Sequence, residues 1–359
     1  PFGGLNMIFA GDFAQLPPTF GTNLYNTAIE AKIYGNMGQY AIHGILGKLL
    51  WHEVTVVVIL VQNMRQKSQS QEDHDLREML TNMRYAKCTE KDLNFLKSRF
   101  VSNQPDRGTL FQRPELRNVS IITSWNSFKD SYNMQGTLRF ASDTKQKLTE
   151  FRSIDLLTGK LDSKDQAGQA KRHTKKRKKA KVLKMTQVLQ EKLWKQPPGT
   201  SDHIPASLSL CQGMPVMIRY NTATELCVTK GQEAVVVGWD STLGPFDSEV
   251  LETLFVQLIN PPTRVRIPGL LPNVVPLNRQ KQSVPCRLPD DSVIVVDRDQ
   301  VHVLPNFAMT DYASQGKTRA YNVVELSESK NFQAIYTALS RSSTAAHTYI
   351  LGDLNKRQI

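Results

Sequence analysis

The sequence predicts an α/β fold built on a parallel sheet, and three observations support this fold class. The apolar runs Leu5–Phe13 and Val54–Val61 have the length and composition of short strands that are buried on both faces. The stretch Asn118–Asn133 passes from an apolar strand through a turn into a helical pattern. Such alternation of strand and helix is typical of parallel sheets whose strands are joined by helices.

The other elements follow along the chain. Apolar residues recur at helical spacing over Leu76–Met83, which predicts an amphipathic helix. A second helix is expected to begin at Thr89, with Asp92 in the position that completes a capping box. From Leu208 onward, short apolar runs separated by Gly and Pro predict a small β module.

Residues 141–203 interrupt this pattern, because they are polar, rich in lysine and poor in aromatic residues. They predict a basic, largely disordered connector. Its centre, Lys171–Lys184, holds nine Lys or Arg and no acid, and without it the net charge of +12 falls to +3. Three interpretations of this tract are open: a nuclear-localisation signal, a phosphate-binding arm, or a solvated loop without a receptor.

Composition and the first residues give no sign of a membrane protein, a secreted protein or a zinc protein. No window contains the roughly 18 apolar residues that a membrane span needs, and the opening lacks the basic start of a secretory signal. The four cysteines form no C-x-x-C pair and have no histidine at zinc spacing, so we expect free thiols and no metal site. Because the chain begins at Pro1, just before a predicted strand, we expect a piece of a longer protein or a truncated gene model.

The Gly-Lys-Thr triplet at 316–318 is similar to the end of a phosphate-binding loop. That loop reads Gly-x-x-x-x-Gly-Lys-Ser/Thr, but the position five before Gly316 is Asp311, whose charge would repel phosphate. No other Gly-Lys-Ser/Thr occurs in the chain, and no apolar strand ends in Asp-Glu. The triplet is therefore predicted not to bind a nucleotide in the manner of a P-loop.

The stretch Gly11–Pro18 is a stronger candidate for a ligand site. It follows a predicted buried strand, where α/β proteins place ligand-binding groups. Gly11 permits a sharp turn, while Asp12 and Gln15 present polar side chains. A glutamine there can bind a terminal phosphate or its attacking water. The alternative is an ordinary strand exit in which the aspartate is satisfied locally.

Five ordered motifs resemble the Pif-type branch of the superfamily-one DNA helicases, which is related to RecD. The segment FGGLNMIFAGDFAQLPP (residues 2–18) resembles motif III of that family, and LVQNMRQ (60–66) resembles motif IV. Further along, FAMTDYASQGKT (307–318) resembles motif V and IYTALSRS (335–342) resembles motif VI. A further block before motif V resembles CQGMPVMIRYN and the later GQEAVVVGW. The sequence is most similar to fungal members, including the helicase parts of Helitron transposons.

This resemblance implies a RecA-like P-loop NTPase fold and the following domain limits. Residues 1–60 would be the C-terminal part of a first RecA-like domain. Residues 61–140 and 290–359 would form the second RecA-like domain. Residues 204–289 would be the β-rich module, and 141–203 the connector.

The resemblance also implies which residues contact ATP. Arg65 and Arg341 would neutralise the charge that builds on the γ-phosphate, with Gln15 as the third catalytic residue. The other nucleotide-binding residues would be Gly11, Asp12, Gln66 and Gly316. ATP and Mg²⁺ would be the cofactors, with the metal held by residues that this chain does not contain. The alternative for a single arginine is a surface ion pair worth ~0–1 kcal/mol.

Motif V implies contacts with the backbone of single-stranded DNA, because hydroxyl and backbone N–H groups at a helix start suit phosphate oxygens. The predicted DNA-binding residues are Thr310, Ser314, Gln315 and Thr318. Asn126 is predicted either to contact phosphate or to cap the following helix. Three aromatic residues are candidates for base stacking, with buried packing as the alternative: Trp125, Tyr312 and Tyr336.

The implied function is an ATP-dependent helicase that moves 5′→3′ on single-stranded DNA and unwinds DNA forks, in the nucleus or the mitochondrion and away from membranes. Repair, recombination and telomere maintenance are the implied settings. We expect the parent protein to hydrolyse ATP and this chain alone to be inactive. Two alternatives are open: a transposon-derived fragment that only binds DNA or is inert, and an RNA helicase of the same superfamily.

Overall fold

The computed structural model describes residues 2–19, 23–25, 39–67, 69–161 and 185–352 of the chain. They fall into two compact units, one formed by Pro1–Arg107 with Ser314–Ile359 and the other by Gly108–Ala313. These limits do not coincide with the predicted domain limits. The basic tract Lys171–Lys184 lies outside the described residues.

The described residues contain eight α-helices. They are α1 (Gln39–His52), α2 (Gln71–Arg84), α3 (Glu90–Arg99), α4 (Pro114–Arg117), α5 (Asn126–Asp143), α6 (Gln187–Trp194), α7 (Asp311–Ser314) and α8 (Phe332–Leu339). None of them has the length and apolar character needed to cross a membrane.

The same residues contain fourteen strands. They are β1 (Ile121–Thr123), β2 (Thr149–Arg152), β3 (Ile154–Leu161), β4 (Ser207–Leu210), β5 (Pro215–Ile218), β6 (Glu233–Leu243), β7 (Glu249–Leu258), β8 (Val274–Asn278), β9 (Gln280–Arg287), β10 (Val293–Gln300), β11 (Val303–Pro305), β12 (Ala308–Thr310), β13 (Asn322–Glu325) and β14 (Thr348–Leu351).

In the first unit, α2 packs against α3, and β13 pairs with β14 in parallel. Both helices begin at side-chain caps, because Ser70 Oγ accepts from the Asp73 amide at 3.2 Å and Thr89 forms a capping box with Asp92. The predicted capping box is confirmed. The apolar positions of Leu76–Met83 are buried, as their helical spacing predicts.

In the second unit, β1 pairs with β12 in parallel, and α5 packs against both strands. The predicted passage from strand to helix over Asn118–Asn133 is therefore confirmed. The β module consists of a five-stranded sheet in the order β11-β5-β6-β7-β8, a three-stranded sheet β3-β10-β9 and the pair β2-β4. One apolar core extends from α5 into the five-stranded sheet, from Phe140 to Phe307.

A buried ion pair fixes the centre of the three-stranded sheet. Arg298 of β10 and Asp155 of β3 form two parallel bonds, Nε–Oδ1 at 2.9 Å and Nη2–Oδ2 at 3.0 Å, and both side chains are fully buried. Arg298 Nη1 also donates to Ser201 Oγ and the Ile204 carbonyl, and the Gln190 amide of α6 donates to Asp155. Every strong polar group in this cluster is satisfied, so the pair joins β3, β10 and α6.

The prediction of a largely disordered connector over 141–203 is wrong for the parts that the structure describes. Those parts contain the end of α5, the strands β2 and β3, and α6, and Phe151 and Leu193 are fully buried. Local composition is misleading here because the order depends on distant partners, β4 for β2 and β10 for β3. Residues 162–184 lie outside the described residues.

The prediction of buried strands at Leu5–Phe13 and Val54–Val61 is also wrong. Neither segment is a strand, and the side chains from Val56 to Val61 are 77–90% exposed. A strand that is apolar on both faces is buried only when neighbouring strands and covering helices are present. No described strand pairs with either segment, so their apolar side chains are left exposed to solvent.

Candidate functional site

A cavity of about 700 Å³ in the first unit collects most of the predicted nucleotide-contacting residues. Its polar lining comes from the Gly11–Pro18 loop, the segment after Val54–Val61, α2, the segment after α7, α8 and the turn after α8. The polar and aromatic lining residues include Asp12, Gln15, Arg65, Gln66, Arg77, Arg84, Thr318, Tyr336 and Arg341. Chain segments more than 250 residues apart in sequence thus meet at one site.

Arg65 is held at this cavity by three hydrogen bonds, one within its own turn and two to distant parts of the chain. The Asn63 carboxamide oxygen accepts from the Arg65 amide at 2.9 Å, which forms the tight turn that carries the side chain. The guanidinium donates from Nε to Thr318 Oγ1 at 3.0 Å and from Nη1 to the Ser340 carbonyl at 2.7 Å. Thr318, predicted to bind DNA, therefore contacts an arginine of the predicted nucleotide site.

Arg341 is 1% exposed and follows α8. Its Nε donates to the Thr337 carbonyl at 2.9 Å and its Nη2 to Ser340 Oγ at 2.7 Å. Burial and the nearby positive charge of Arg65 lower the pKa of Arg341 to about 10, so it stays charged at neutral pH. Among the described residues, neither Arg65 nor Arg341 forms an ion pair with a carboxylate, and their side-chain hydrogen bonds go to neutral groups; the Asp12 carboxylate has a smaller, opposing effect on the pKa of Arg341.

The loop that carries Gln15 is organised by one carboxylate. Asp12 Oδ1 accepts from the Ala14 amide at 3.0 Å, and Asp12 Oδ2 accepts from Gln15 Nε2 at 3.3 Å and from Arg84 Nη1 at 3.0 Å. The predicted polar pair of this loop therefore exists as a bonded unit. Gly11 precedes it and does not line the cavity.

Gln66 supports the site from inside the protein. It is buried, its Nε2 donates to the Ser342 carbonyl and its Oε1 accepts from Asn63 Nδ2. Both ends of its amide are thus engaged by the chain, and the residue holds the turn that carries Arg65. Gly316, the other predicted nucleotide-binding position, is exposed and does not line the cavity.

Three lining residues extend the predicted set. Arg77 and Arg84 lie seven positions apart on α2 and therefore share one face of that helix, a spacing that could have marked them from the sequence. Arg77 Nη1 donates to the Gln66 carbonyl at 3.1 Å. Tyr336, a candidate for base stacking, is buried on α8, as its packing alternative predicts.

The predicted DNA-contacting residues of the second unit lie where two parallel strands end. Thr123 of β1 is in register with Thr310 of β12, and Ser124 Oγ donates to Asp311 Oδ2 at 3.1 Å just beyond them. Asn126 begins α5 and is exposed, and the N-cap position is Trp125, so Asn126 does not cap the helix.

Two aromatic side chains of the second unit are open to solvent. Trp125 is 44% exposed and Tyr312 is 38% exposed. Their predicted alternative, full burial in the core, is therefore not what the structure shows. Exposed aromatic faces beside hydroxyl and amide groups are the chemical features on which single-stranded nucleic acids bind.

The Gly-Lys-Thr triplet follows the four-residue helix α7 instead of preceding a helix. Ser314, the last residue of α7, is fully buried, and its carbonyl accepts from the Lys317 amide at 3.1 Å. Gln315 is half-buried, and Gly316 has a φ of +78° that turns the chain out of the helix. A phosphate-binding loop leads into a helix N-terminus, so this geometry agrees with the prediction that the triplet is not a P-loop.

The described residues include one group whose carboxylates could hold a metal ion, formed by His74, Asp75 and Glu78. Lys91 Nζ lies 3.1 Å from Asp75 and 2.7 Å from Glu78, so a protein cation already bridges both carboxylates. Of the described residues that line the arginine-lined cavity, Asp12 alone carries a carboxylate, and it is bonded to Arg84. That donor set fits an anion and does not fit Mg²⁺.

No protein-family model and no curated protein matches the sequence. Among solved structures, the fold is similar to those of Pif1 helicases. The Candida albicans Pif1 helicase aligns at a TM-score of 0.58 and 19% identity, over the whole of this chain and 67% of its own. Bacteroides Pif1 bound to ssDNA gives 0.59 and 16%, over 65% of its chain. The Bacteroides enzyme in complex with ADP-AlF3 and ssDNA gives 0.57 and 18%, over 64% of its chain.

The chain therefore spans about two thirds of the length of these solved helicases, or slightly less. At identities below 20% the likeness concerns the fold. The predicted α/β, RecA-like fold class is confirmed, and the chain has the fold of Pif1 helicases.

Proposed function

We propose that this chain is the part of an ATP-dependent DNA helicase that supplies the catalytic arginines and the strand-contacting loops. The observation that carries the proposal is the pair Arg65 and Arg341, which lie in one cavity with Gln15 and have no carboxylate partner among the described residues. A Bacteroides structure with the same fold was solved with ADP-AlF3 and ssDNA, which supports a nucleotide and a DNA strand as ligands.

The charge of the cavity suits the terminal phosphates of a nucleotide. Two neighbouring guanidinium groups repel each other, and the burial of Arg341 removes much of the water that would screen its charge, while Arg65 is half-buried. A phosphate oxygen between them would compensate both charges and accept charge-assisted hydrogen bonds. An arginine that contacts the transferring phosphoryl group is worth ~10³–10⁵ in rate in enzymes of this class.

Gln15 is proposed to act on water or phosphate at the same place. Its Nε2 is bonded to Asp12, which leaves Oε1 free to accept a hydrogen bond from a nucleophilic water. Mg²⁺, which the resemblance implies, would have to be held elsewhere, because the lining residues do not provide free carboxylates.

The DNA strand is proposed to run over the ends of β1 and β12. Asn126 and Thr310 offer an amide and a hydroxyl there, and Trp125 and Tyr312 offer exposed aromatic faces. Movement in the 5′→3′ direction, unwinding of forks, nuclear or mitochondrial location and affinity with fungal or Helitron-type members are proposals that rest on the motif resemblance.

The chain alone is proposed to be inactive as an ATPase. Its sequence contains no P-loop, and the exposed apolar segment Val54–Val61 lacks the neighbouring strands that would bury it. We infer that a further polypeptide segment covers Val54–Val61 and supplies the phosphate-binding loop, as the greater length of the solved helicases suggests.

The direct test measures ATP turnover by the purified chain beside its Arg341→Ala variant, with and without single-stranded DNA. We expect no turnover above the variant, and binding of single-stranded DNA that weakens as salt rises. Turnover that depends on Arg341 would contradict the inactive-fragment proposal. A comparison of DNA with RNA at one salt concentration tests the RNA-helicase alternative. The coding sequence immediately upstream tests the transposon-derived alternative. If the chain binds DNA but that upstream sequence encodes no P-loop, the transposon-derived fragment is favoured.

A further inference from the structure

Arg84 is a candidate for a role that the motif resemblance does not assign. It is the last residue of α2 and lines the cavity that contains Gln15 and Arg341. Its side chain is 43% exposed, and its partner Asp12 is 19% exposed. An ion pair at that exposure contributes little to folding stability.

The contacts of Arg84 form a short chain that ends at Gln15. Arg84 Nη1 donates to Asp12 Oδ2 at 3.0 Å, and Gln15 Nε2 donates to the same oxygen at 3.3 Å. The second oxygen of Asp12 accepts from the Ala14 amide at 3.0 Å, which fixes the carboxylate in the loop. The buried Tyr336 of α8 lies beside Arg84 in the same cavity, so the guanidinium has Asp12 on one side and a phenol ring in its surroundings.

This chain of bonds determines which atom Gln15 presents. A carboxylate oxygen accepts hydrogen bonds only, so the group of Gln15 that faces Asp12 is the NH₂ and not the carbonyl. The carbonyl Oε1 is then left as an acceptor. With Asp12 held by Arg84 as well as by the Ala14 amide, one rotamer of Gln15 is favoured; without Arg84 only Oδ1 stays anchored, so Oδ2 and the Gln15 amide bonded to it are less restrained.

We propose that Arg84 is a positioning residue that acts on Gln15 through Asp12. The guanidinium fixes the carboxylate, and the carboxylate fixes the amide so that Oε1 is presented as an acceptor. The meaning of this positioning rests on the proposed function, in which Oε1 would orient the water that attacks the terminal phosphate. The positioning itself needs no nucleotide and is measurable without one.

The experiment records the side-chain amide signals of Gln15 by NMR in the full chain labelled with ¹⁵N-glutamine. The Gln15→Ala variant assigns the signals. We expect an ordered amide in the wild type, with an order parameter of about 0.8. In Arg84→Gln we expect a fall below about 0.6, the range of flexible groups. Asp12→Asn should give the same loss, and the double variant no greater loss than either single one.

Two variants keep the result interpretable. Arg84→Met retains the aliphatic stem of the side chain, so an equal loss in this variant reports the guanidinium and not packing. Arg77→Gln is the matched control, since Arg77 lies on the same face of α2 and lines the same cavity but bonds the Gln66 carbonyl. Arg77→Gln should leave the Gln15 signals ordered.

The proposal would be overturned if the Gln15 order parameter stayed unchanged in both Arg84→Gln and Arg84→Met. The result for Asp12→Asn would not alter that conclusion. Equal disorder in Arg77→Gln would also overturn the proposal, because it would report general loosening of α2. The proposed function is tested separately, by the measurements of ATP turnover and of DNA binding described above, so either result can fail while the other stands.

Discussion

Two buried arginines, one in each unit, have opposite surroundings. Arg298 in the β module is matched by Asp155 in a two-bond ion pair, with Ser201 and the Ile204 carbonyl as further acceptors. Arg341 at the cavity is equally buried, but its hydrogen-bond partners are neutral, and the charge that shifts its pKa most is the positive charge of Arg65. The first arrangement is complete within the protein, whereas the second leaves positive charge that a bound anion would compensate.

The largest expected effect comes from removing the matched arginine. Arg298→Met should lower the free energy of unfolding by about 3–5 kcal/mol, because Asp155 would remain buried as an unpaired charge. Denaturant unfolding measures the change. The double variant with Asp155→Leu serves as the control and should recover much of the loss. A single variant as stable as the wild type would show that the pair does not fix this sheet.

A second, smaller effect is the pH dependence of stability that His203, in the same unit as Arg298, is expected to cause. Burial, reinforced by the charges of Lys129 and Arg219, lowers the pKa of His203 to about 4. The unfolded chain therefore binds this proton more readily, so stability is present above the ordinary histidine pKa of about 6.5 and is lost as the pH falls towards 4. After allowance for solvent screening at this partly exposed site, we expect a loss of about 1–2 kcal/mol.

The matching variant for this pH effect is His203→Asn. Residue 203 has a φ of +60°, a conformation that asparagine tolerates better than most residues. We expect the stability of this variant to depend less on pH between 6.5 and 4 than that of the wild type, as followed by thermal unfolding. Identical pH profiles for the two proteins would contradict a buried, neutral His203.

The smallest expected effect is that of Arg341→Met on stability. It is the most direct comparison with Arg298→Met, because the same substitution is made at an arginine that has no carboxylate ion pair. Arg341→Met removes a buried charge that has no carboxylate partner, so we expect the free energy of unfolding to stay constant or to rise by up to about 1 kcal/mol. Denaturant unfolding beside Arg298→Met gives the contrast. A loss as large as that of Arg298→Met would mean that Arg341 is a structural arginine.

The motifs predict residues that the structure places together, although their roles stay predictions. Gln15, Arg65 and Arg341 were predicted from ordered motifs, and the structure brings them to one cavity. The helical spacing of Arg77 and Arg84 could have marked their shared face of α2, but the contact of Arg84 with Asp12, 72 residues away, follows from no local pattern. Thr318 was assigned to DNA on its motif alone, yet its hydroxyl accepts from Arg65.

The errors in the fold have a common physical cause. Val54–Val61 has the composition of a buried strand, but burial depends on partners that the described residues do not supply. Residues 141–161 and 185–203 have the composition of a linker, but long-range pairing with β4 and β10 orders parts of them. Helix caps such as Thr89 were predictable because all of their contacts are local.

The central claim is that the pair Arg65 and Arg341 forms an incomplete anion site. It is tested most directly by titrating tripolyphosphate into the purified chain and into Arg341→Met while following the unfolding temperature. The account predicts that tripolyphosphate stabilises the wild type, by about 2.7 kcal/mol at a hundredfold excess over its dissociation constant, and leaves Arg341→Met unchanged. Equal stabilisation of both proteins, or none of the wild type, would contradict it.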